Sequence, residues 1–146
     1  MPSDEGNPLG NHGFIVEIAD IESSSFSEVK ISDSEIEMVE YRDGSDPSRA
    51  TRKLLGLVRH SDLVLRRGMT KSLDVYDWFK NNKNGSVDRR SVTVVVLDES
   101  RQPCAKWKFK NCLPTKYSGP NLNATSNEYV IEEVIIAVED VERDEV

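Results

Sequence analysis

Only one stretch of this chain repeats its apolar residues at the spacing of a helix, and that limits the fold more than any other feature. It runs from Arg66 to Asn84, RRGMTKSLDVYDWFKNNKN. Thr70 is placed to act as N-cap, because its hydroxyl can accept from the first free backbone N–H groups. Asp74 and Asp77 lie towards the positive end of the helix dipole, and Lys80 and Lys83 towards the negative end. Asn84-Gly85 then stops the helix, glycine accepting the left-handed conformation that follows many helices. The pattern predicts a helix over about residues 70–83, with Val75, Tyr76, Trp78 and Phe79 covering one broad side. That side must dock on something apolar, and nearly everything else reads as strand. The chain is therefore expected to be mainly β, with one helix serving the scaffold.

Taken in order, residues 1–13 carry two prolines and three glycines, which predicts an N-terminal arm. Phe14 to Asp20 alternates as a first strand, and Ser23-Ser24-Ser25 reads as a turn. Phe26–Ile31 and Glu35–Arg42 read as a hairpin joined by a Ser-Asp-Ser turn. In its second arm the apolar positions change phase, from Ile36 and Met38 to Val39 and Tyr41. That change implies either a bulge or a strand covered on both faces. Residues 43–56 hold little to bury before Leu54-Leu55, and a loop of about fourteen residues is usually functional or disordered. Leu57–Arg67 returns as strand, and Ser91–Asp98 is a buried one. Cys104–Cys112 alternates sharply, with Ala105, Trp107 and Phe109 facing one way and Lys106, Lys108 and Lys110 the other. Residues 114–127 read as a polar turn region. Glu128–Asp140 reads as one long last strand with apolar residues on both faces, which demands cover on both.

Charge narrows the function. The formal net charge of −7 argues against nucleic acid as a partner, since phosphates require a dominant basic surface. The charge is unevenly placed: residues 49–116 hold 16 bases against 6 acids, while both flanks are acidic. Such a layout suits subunits meeting unlike surface to unlike surface, or a surface paired within one molecule. The start is acidic and lacks an apolar core, which predicts no signal peptide. No apolar run approaches the ~20 residues of a membrane span, so no membrane anchor is expected.

Catalytic chemistry finds little foothold. There is no glycine-rich phosphate loop, no nucleophile elbow and no HExxH. His12 and His60 lack neighbours at metal-ligand spacing. Cys104 and Cys112 are eight residues apart in one strand, too far for a disulfide, and are expected to be free thiols. Glu35, Glu37 and Glu40 alternate as solvated residues of a strand do, although a hydrolase using paired carboxylates stays open. Trp78 and Trp107 either pack in the core or form a sugar-stacking platform, as in a small β-rich carbohydrate-binding module. No catalytic residue, metal or cofactor is expected.

A series of phrases resembles one known family. They are Phe14-Ile-Val-Glu-Ile with Phe26-Ser-Glu-Val, Val39-Glu-Tyr-Arg-Asp-Gly, Arg52-Lys-Leu-Leu-Gly-Leu-Val, Leu63-Val-Leu-Arg-Arg-Gly-Met-Thr and Leu73-Asp-Val-Tyr-Asp-Trp-Phe. Val96-Leu-Asp-Glu, the run from Ala105 to Ala124 and Ser126-Asn-Glu-Tyr-Val-Ile-Glu follow in the same order. Together they resemble the phage tail tube proteins of the T4 type, with the inner-tube proteins of extracellular contractile injection systems. The likeness runs from about Phe14 to Arg143 and departs at Leu55, where the family has proline before the glycine.

The resemblance implies a β-sandwich or barrel-like subunit of two antiparallel sheets, flanked by the helix at about 70–83. Residues 14–143 would be one tail-tube domain, with 144–146 a short end. Six subunits would close into a ring whose inner wall is one barrel, and rings would stack into a hollow tube inside a sheath. Expected partners are the chain itself, sheath protein, baseplate hub and tube-initiator proteins, a tube-terminating cap and cargo in the lumen. A tube-initiator role at the baseplate is an alternative within the family. Assembly would occur in the cytoplasm, into a virion tail or injection particle. On this reading the loop 43–56 contacts the next ring through Asp43, Asp46, Arg49, Arg52, Lys53, Leu54 and Leu55. Val75, Tyr76, Trp78, Phe79, Trp107 and Phe109 hold the helix to the core. Glu35, Glu37, Lys106, Lys108 and Lys110 are candidates for the lumen wall, because smooth passage favours a polar lining.

Overall fold

A computed structural model of the chain describes residues 9–10, 12–21, 26–42, 44, 51–125 and 129–145. The strands are β1 (Phe14–Ile18), β2 (Phe26–Lys30), β3 (Ser34–Tyr41), β4 (Arg52–His60), β5 (Leu63–Gly68), β6 (Arg90–Leu97), β7 (Pro103–Ser118), β8 (Ile131–Ala137) and β9 (Asp140–Asp144). The helix α1 is Asp74–Lys83. All pairings are antiparallel, and β1-β6-β7-β8-β5-β2 is the order of the main sheet, with β9 also on β7. Among the described residues β3 and β4 pair only with each other.

The long β7 makes this one sheet behave as two layers. Its first part pairs with β6 and β9, and its last part, Leu113–Ser118, pairs with β8. Between them Asn111 has φ 52, a left-handed conformation that asparagine tolerates better than most residues. The strand bends there and folds the β8-β5-β2 half over the β1-β6-β9 half, an open sandwich that does not close into a barrel. Alternation then sends Val16, Ile18, Val92, Val94 and Phe109 inward from one layer, and Leu63, Leu65, Val134 and Ile136 from the other.

α1 plugs one side of this sandwich with Val75 and Trp78, while Tyr76 and Phe79 are half-buried against Tyr117 of β7. Trp78 is 0% exposed, and its indole N–H donates to the Asp88 carbonyl at 2.8 Å. The helix starts later than the sequence suggests. Thr70 is not its cap; its hydroxyl accepts only from the Ser72 amide, while the Asp74 carboxylate accepts from the Val75 amide at 2.7 Å. Gly85 has φ 93 just beyond Asn84, so the expected stop is where the sequence puts it.

Five other expectations need correction. β2 and β3 are not a hairpin: β2 pairs with β5, and β3 with β4. The run Leu57–Arg67 is not one strand, because it breaks at Ser61-Asp62 and its halves serve different sheets. The strand read as Glu128–Asp140 is only Ile131–Ala137, and a further strand, β9, begins where that reading ended; β7 continues to Ser118 through residues read as a turn. The segment 43–56 is not all loop either, since Arg52, Lys53, Leu54, Leu55 and Gly56 are the first residues of β4. Asp43, Asp46 and Arg49, the Ser23–Ser25 turn and residues 1–8 of the arm lie outside the described residues.

Candidate functional site

The β3–β4 hairpin is built like a sheet but owns no core. Glu35 stands opposite Arg59 and Glu40 opposite Lys53, opposite charges that favour this register. Between Ile36 and Met38 the register shifts by a bulge whose extra residue is on β4, so β3 keeps its alternation and its change of phase puts apolar residues on both of its faces. Gly56 lies at this irregularity, where a Cβ would come within 3.2 Å of the Glu37 carbonyl oxygen. The base is tied to the body. The Ser61 amide donates to the Asp33 carbonyl at 2.9 Å, and the Asp33 amide to the Ser61 hydroxyl at 2.7 Å. Ser34 and His60 are in hydrogen-bond contact at 2.9 Å, and His60 reaches towards Asp140 at 3.9 Å.

Beyond that base every residue of both strands up to Arg59 is exposed. The register puts Ile36, Met38, Leu55 and Val58 on one face, and Val39, Tyr41 and Leu54 on the other. Leu55 is 76% exposed and Leu57 68%. Two strands alone are marginal in water, and contiguous apolar surface of this kind marks an interaction site. Of the predicted contact residues, the structure places Arg52, Lys53, Leu54 and Leu55 together along β4.

The candidates for a lumen wall do not form one surface. Glu35 and Glu37 are on the hairpin, with Glu37 3.7 Å from Arg59. The lysines of β7 face a row of acids on β9: Lys108 pairs with Asp144 at 3.1 Å and Lys110 with Glu142 at 3.0 Å. Lys106 stands opposite Asp144 in the register. That face is polar but internally neutralised. Among the described residues β1, β2 and β9 each have a single strand neighbour, which leaves their outer backbone edges available for pairing.

Sequence reasoning missed a buried ionic cluster under β2. Arg67 is 2% exposed and Glu132 4%, and they form an ion pair across β5 and β8. Arg67 also holds Asp74 at 2.5 Å and lies over the Phe26 ring, while the Tyr117 hydroxyl donates to Glu132 at 2.5 Å. Burial opposes the charge on Arg67, but the bonds to Asp74 and Glu132 outweigh it and raise its pKa. Burial likewise works against the Asp74 carboxylate, yet Arg67 and the Val75 amide hold it below its ordinary value. The Tyr117 hydroxyl is pushed up to about 12 by burial and by its bond to Glu132. The cluster locks the helix start to the sheet. Its only sequence signal was an arginine inside an otherwise inward-facing period-two pattern (Leu63, Leu65, Arg67).

Trp78, being wholly buried, offers no platform to a sugar. Trp107 is half-buried, with the Arg143 guanidinium 5.6 Å over its ring, and borders an apolar cleft of about 380 Å³ beside Phe14, Val29, Val94 and Leu9. Cys104 and Cys112 are both free; burial pushes the Cys112 thiol up to about 12, far from a reactive thiolate. Among the described residues no group of three or more His, Cys, Asp or Glu is arranged to hold a metal, and no helix is long and apolar enough to cross a membrane.

The same fold occurs in solved assemblies. A chain in the extended sheath-tube complex of the PVC extracellular contractile injection system superposes with a TM-score of 0.85 at 24% identity, covering 97% of this chain and 95% of that one. A chain in the anti-feeding prophage baseplate gives 0.81 at 22% identity, covering 94% and 95%. Hcp1 from Flavobacterium johnsoniae is more distant, at 0.60 and 16% identity over 89% and 93%. No curated protein matches the chain in sequence. The family model for the T4-like virus tail tube protein gp19 matches residues 10–142. With nearly the whole chain inside that match, and with a sandwich that leaves its edges and hairpin uncovered, this protein belongs to the T4-like tail tube family.

Proposed function

We propose that this chain is the inner-tube subunit of a contractile injection particle or phage-like tail, working as a structural part and not as a catalyst. Residues 14–143 act as one tail-tube domain, and six copies close into rings that stack as a hollow conduit for cargo. A sheath surrounds the tube, a baseplate hub and initiator start it, and a cap ends it. Assembly takes place in the cytoplasm. The observation that carries this reading is the hairpin, whose two faces bear apolar residues that no described residue of the chain covers.

Magnitudes say which hairpin contacts matter. Fully covering a leucine or isoleucine is worth roughly 1.5–3 kcal/mol, whereas an exposed ion pair is worth roughly 0–1 kcal/mol. The apolar residues Leu54 and Leu55 therefore supply most of the inter-ring contact. Arg52 and Lys53, with Asp43, Asp46 and Arg49 beyond the described part of the turn, align it with charges of the next ring. The lysine row Lys106, Lys108 and Lys110, neutralised by β9, suits a conduit wall that does not retain charged cargo.

Electron microscopy of concentrated protein tests this directly. Rings or tubes are expected from the unmodified chain, and folded subunits without tubes from Leu55→Asp combined with Leu57→Asp. Persistent monomers of the unmodified chain in the presence of sheath and baseplate proteins would refute the reading. A second role, the initiating ring at the baseplate, is favoured by the likeness to the baseplate chain. Counting copies per particle separates them: one ring for an initiator, many for the main tube.

A further inference from the structure

Besides the hairpin, a second uncovered apolar surface lies at the opposite end of the same layer. β5 begins at Leu63, just after the hairpin base, and ends at Gly68. There the Met69 amide donates to the Val130 carbonyl at 2.8 Å, and Gly68 stands opposite Ile131. Met69, Tyr129, Val130 and Ile131 are therefore contiguous, and all four are exposed, Tyr129 at 92%. Leu73, at the foot of the helix, is exposed as well.

The spacing of the two surfaces fits a repeat. β5 is six residues long, ~20 Å at ~3.3 Å per residue, and the nine residues of β4 span ~30 Å. A hairpin of that length outreaches the layer it springs from. Two different apolar patches at opposite ends of one molecule make a heterologous contact, which propagates instead of closing on itself as a twofold pair does. Neither patch has a partner within the chain among the described residues, and one head-to-tail contact covers the second patch together with one face of the hairpin.

We infer that the surface formed by Met69, Tyr129, Val130 and Ile131 is the seat for the β3–β4 hairpin of a second copy, which lays its Ile36–Met38–Leu55–Val58 face upon it. This rests on the tube-subunit reading and names the receiving surface that reading lacks. Burial of the tyrosine ring and the β-branched pair supplies the affinity, since large apolar and aromatic anchors dominate protein interfaces.

Cysteine pairs test it in assembled material. In a Cys104→Ser background, Leu55→Cys is combined with Val130→Cys, and separately with Val87→Cys, an exposed site on the connection from α1 to β6. Mild oxidation of assemblies should give a covalent ladder on a non-reducing gel for the 55/130 pair and none for the 55/87 pair. Assemblies visible by microscopy without a 55/130 ladder overturn the seat but leave the tube reading standing. No assembly by the unmodified chain overturns both. Should the cysteine variants themselves not assemble, Tyr129→Ala decides: a rise of tenfold or more in the concentration needed for assembly, with an unchanged thermal midpoint, supports the seat. An unchanged assembly concentration overturns it.

Discussion

The hairpin and the layer it springs from use the same kinds of residue to opposite ends. In β5 and β8, Leu63, Leu65, Val134 and Ile136 are buried in the same core as Trp78, and even the charged pair Arg67–Glu132 is enclosed. In β3 and β4, Ile36, Met38, Leu54, Leu55 and Leu57 have similar apolar character and are all exposed. The first region is stable because this chain supplies both sides of its core. The second has the register, the bulge and the charge pairs of a sheet but no second layer. An apolar strand pattern thus states that cover is needed, not who provides it.

If that contrast is right, substitutions in the two regions should fail in different assays. Trp78→Ala should have the largest effect on folding, about 3–5 kcal/mol for removal of a buried aromatic ring, read as a lowered urea midpoint of dispersed subunits. Arg67→Met should cost nearly as much, about 3–5 kcal/mol, because it strands Glu132 without its counter-charge. Combining it with Glu132→Leu should recover part of that loss, and a double variant worse than the single would show that the cluster stabilises in its own right. Leu55→Asp should change the same midpoint by less than about 0.5 kcal/mol, yet abolish sedimentable assemblies. A large drop in subunit stability would mean the hairpin is part of the monomer's core after all.

Acid sharpens the contrast further. Asp74 is held below its ordinary value of 3.8, so the folded state binds fewer protons there than the unfolded chain. Its contribution is complete above that ordinary value and is lost as pH falls through the lower folded one. Asp74→Asn should therefore be less stable at neutral pH and show a shallower loss of stability with acid, measured as urea midpoints from pH 6 to pH 2. The smallest effect should come from Lys110→Ala, whose ion pair with Glu142 is exposed at both ends and should be screened by moderate salt.

What the sequence revealed follows the range of the forces involved. The helix was legible because its spacing, its charge gradient and its glycine stop are all local, although the start was misplaced because Asp74, and not Thr70, satisfies the Val75 amide. The change of phase from Met38 to Val39 marks a strand with apolar residues on both faces, whereas the bulge belongs to β4 at Gly56-Leu57, opposite Glu37. A Ser-Asp-Ser turn between two alternating runs serves equally well when the runs leave for different sheets. The break at Ser61-Asp62 has a mark of its own, a pair of turn-favouring residues, obscured by the strand formers on either side. Nothing near Arg67 predicted its burial, since Glu132 arrives from 65 residues away. The lysine row was legible as a face, while its neutralisation depends on β9, a strand beyond the last one the sequence predicts. For the site, Leu54 and Leu55 belong to the expected contact segment, but that segment reads as a loop where the structure has a strand.

Hydrogen exchange in dispersed subunits and in assembled particles tests the central claim, that another copy completes the hairpin. The account predicts that amides of β3 and β4 exchange rapidly in subunits and become protected a hundredfold or more on assembly, while those of β5 and β8 are slow in both. Equal protection of the hairpin before and after assembly would contradict it.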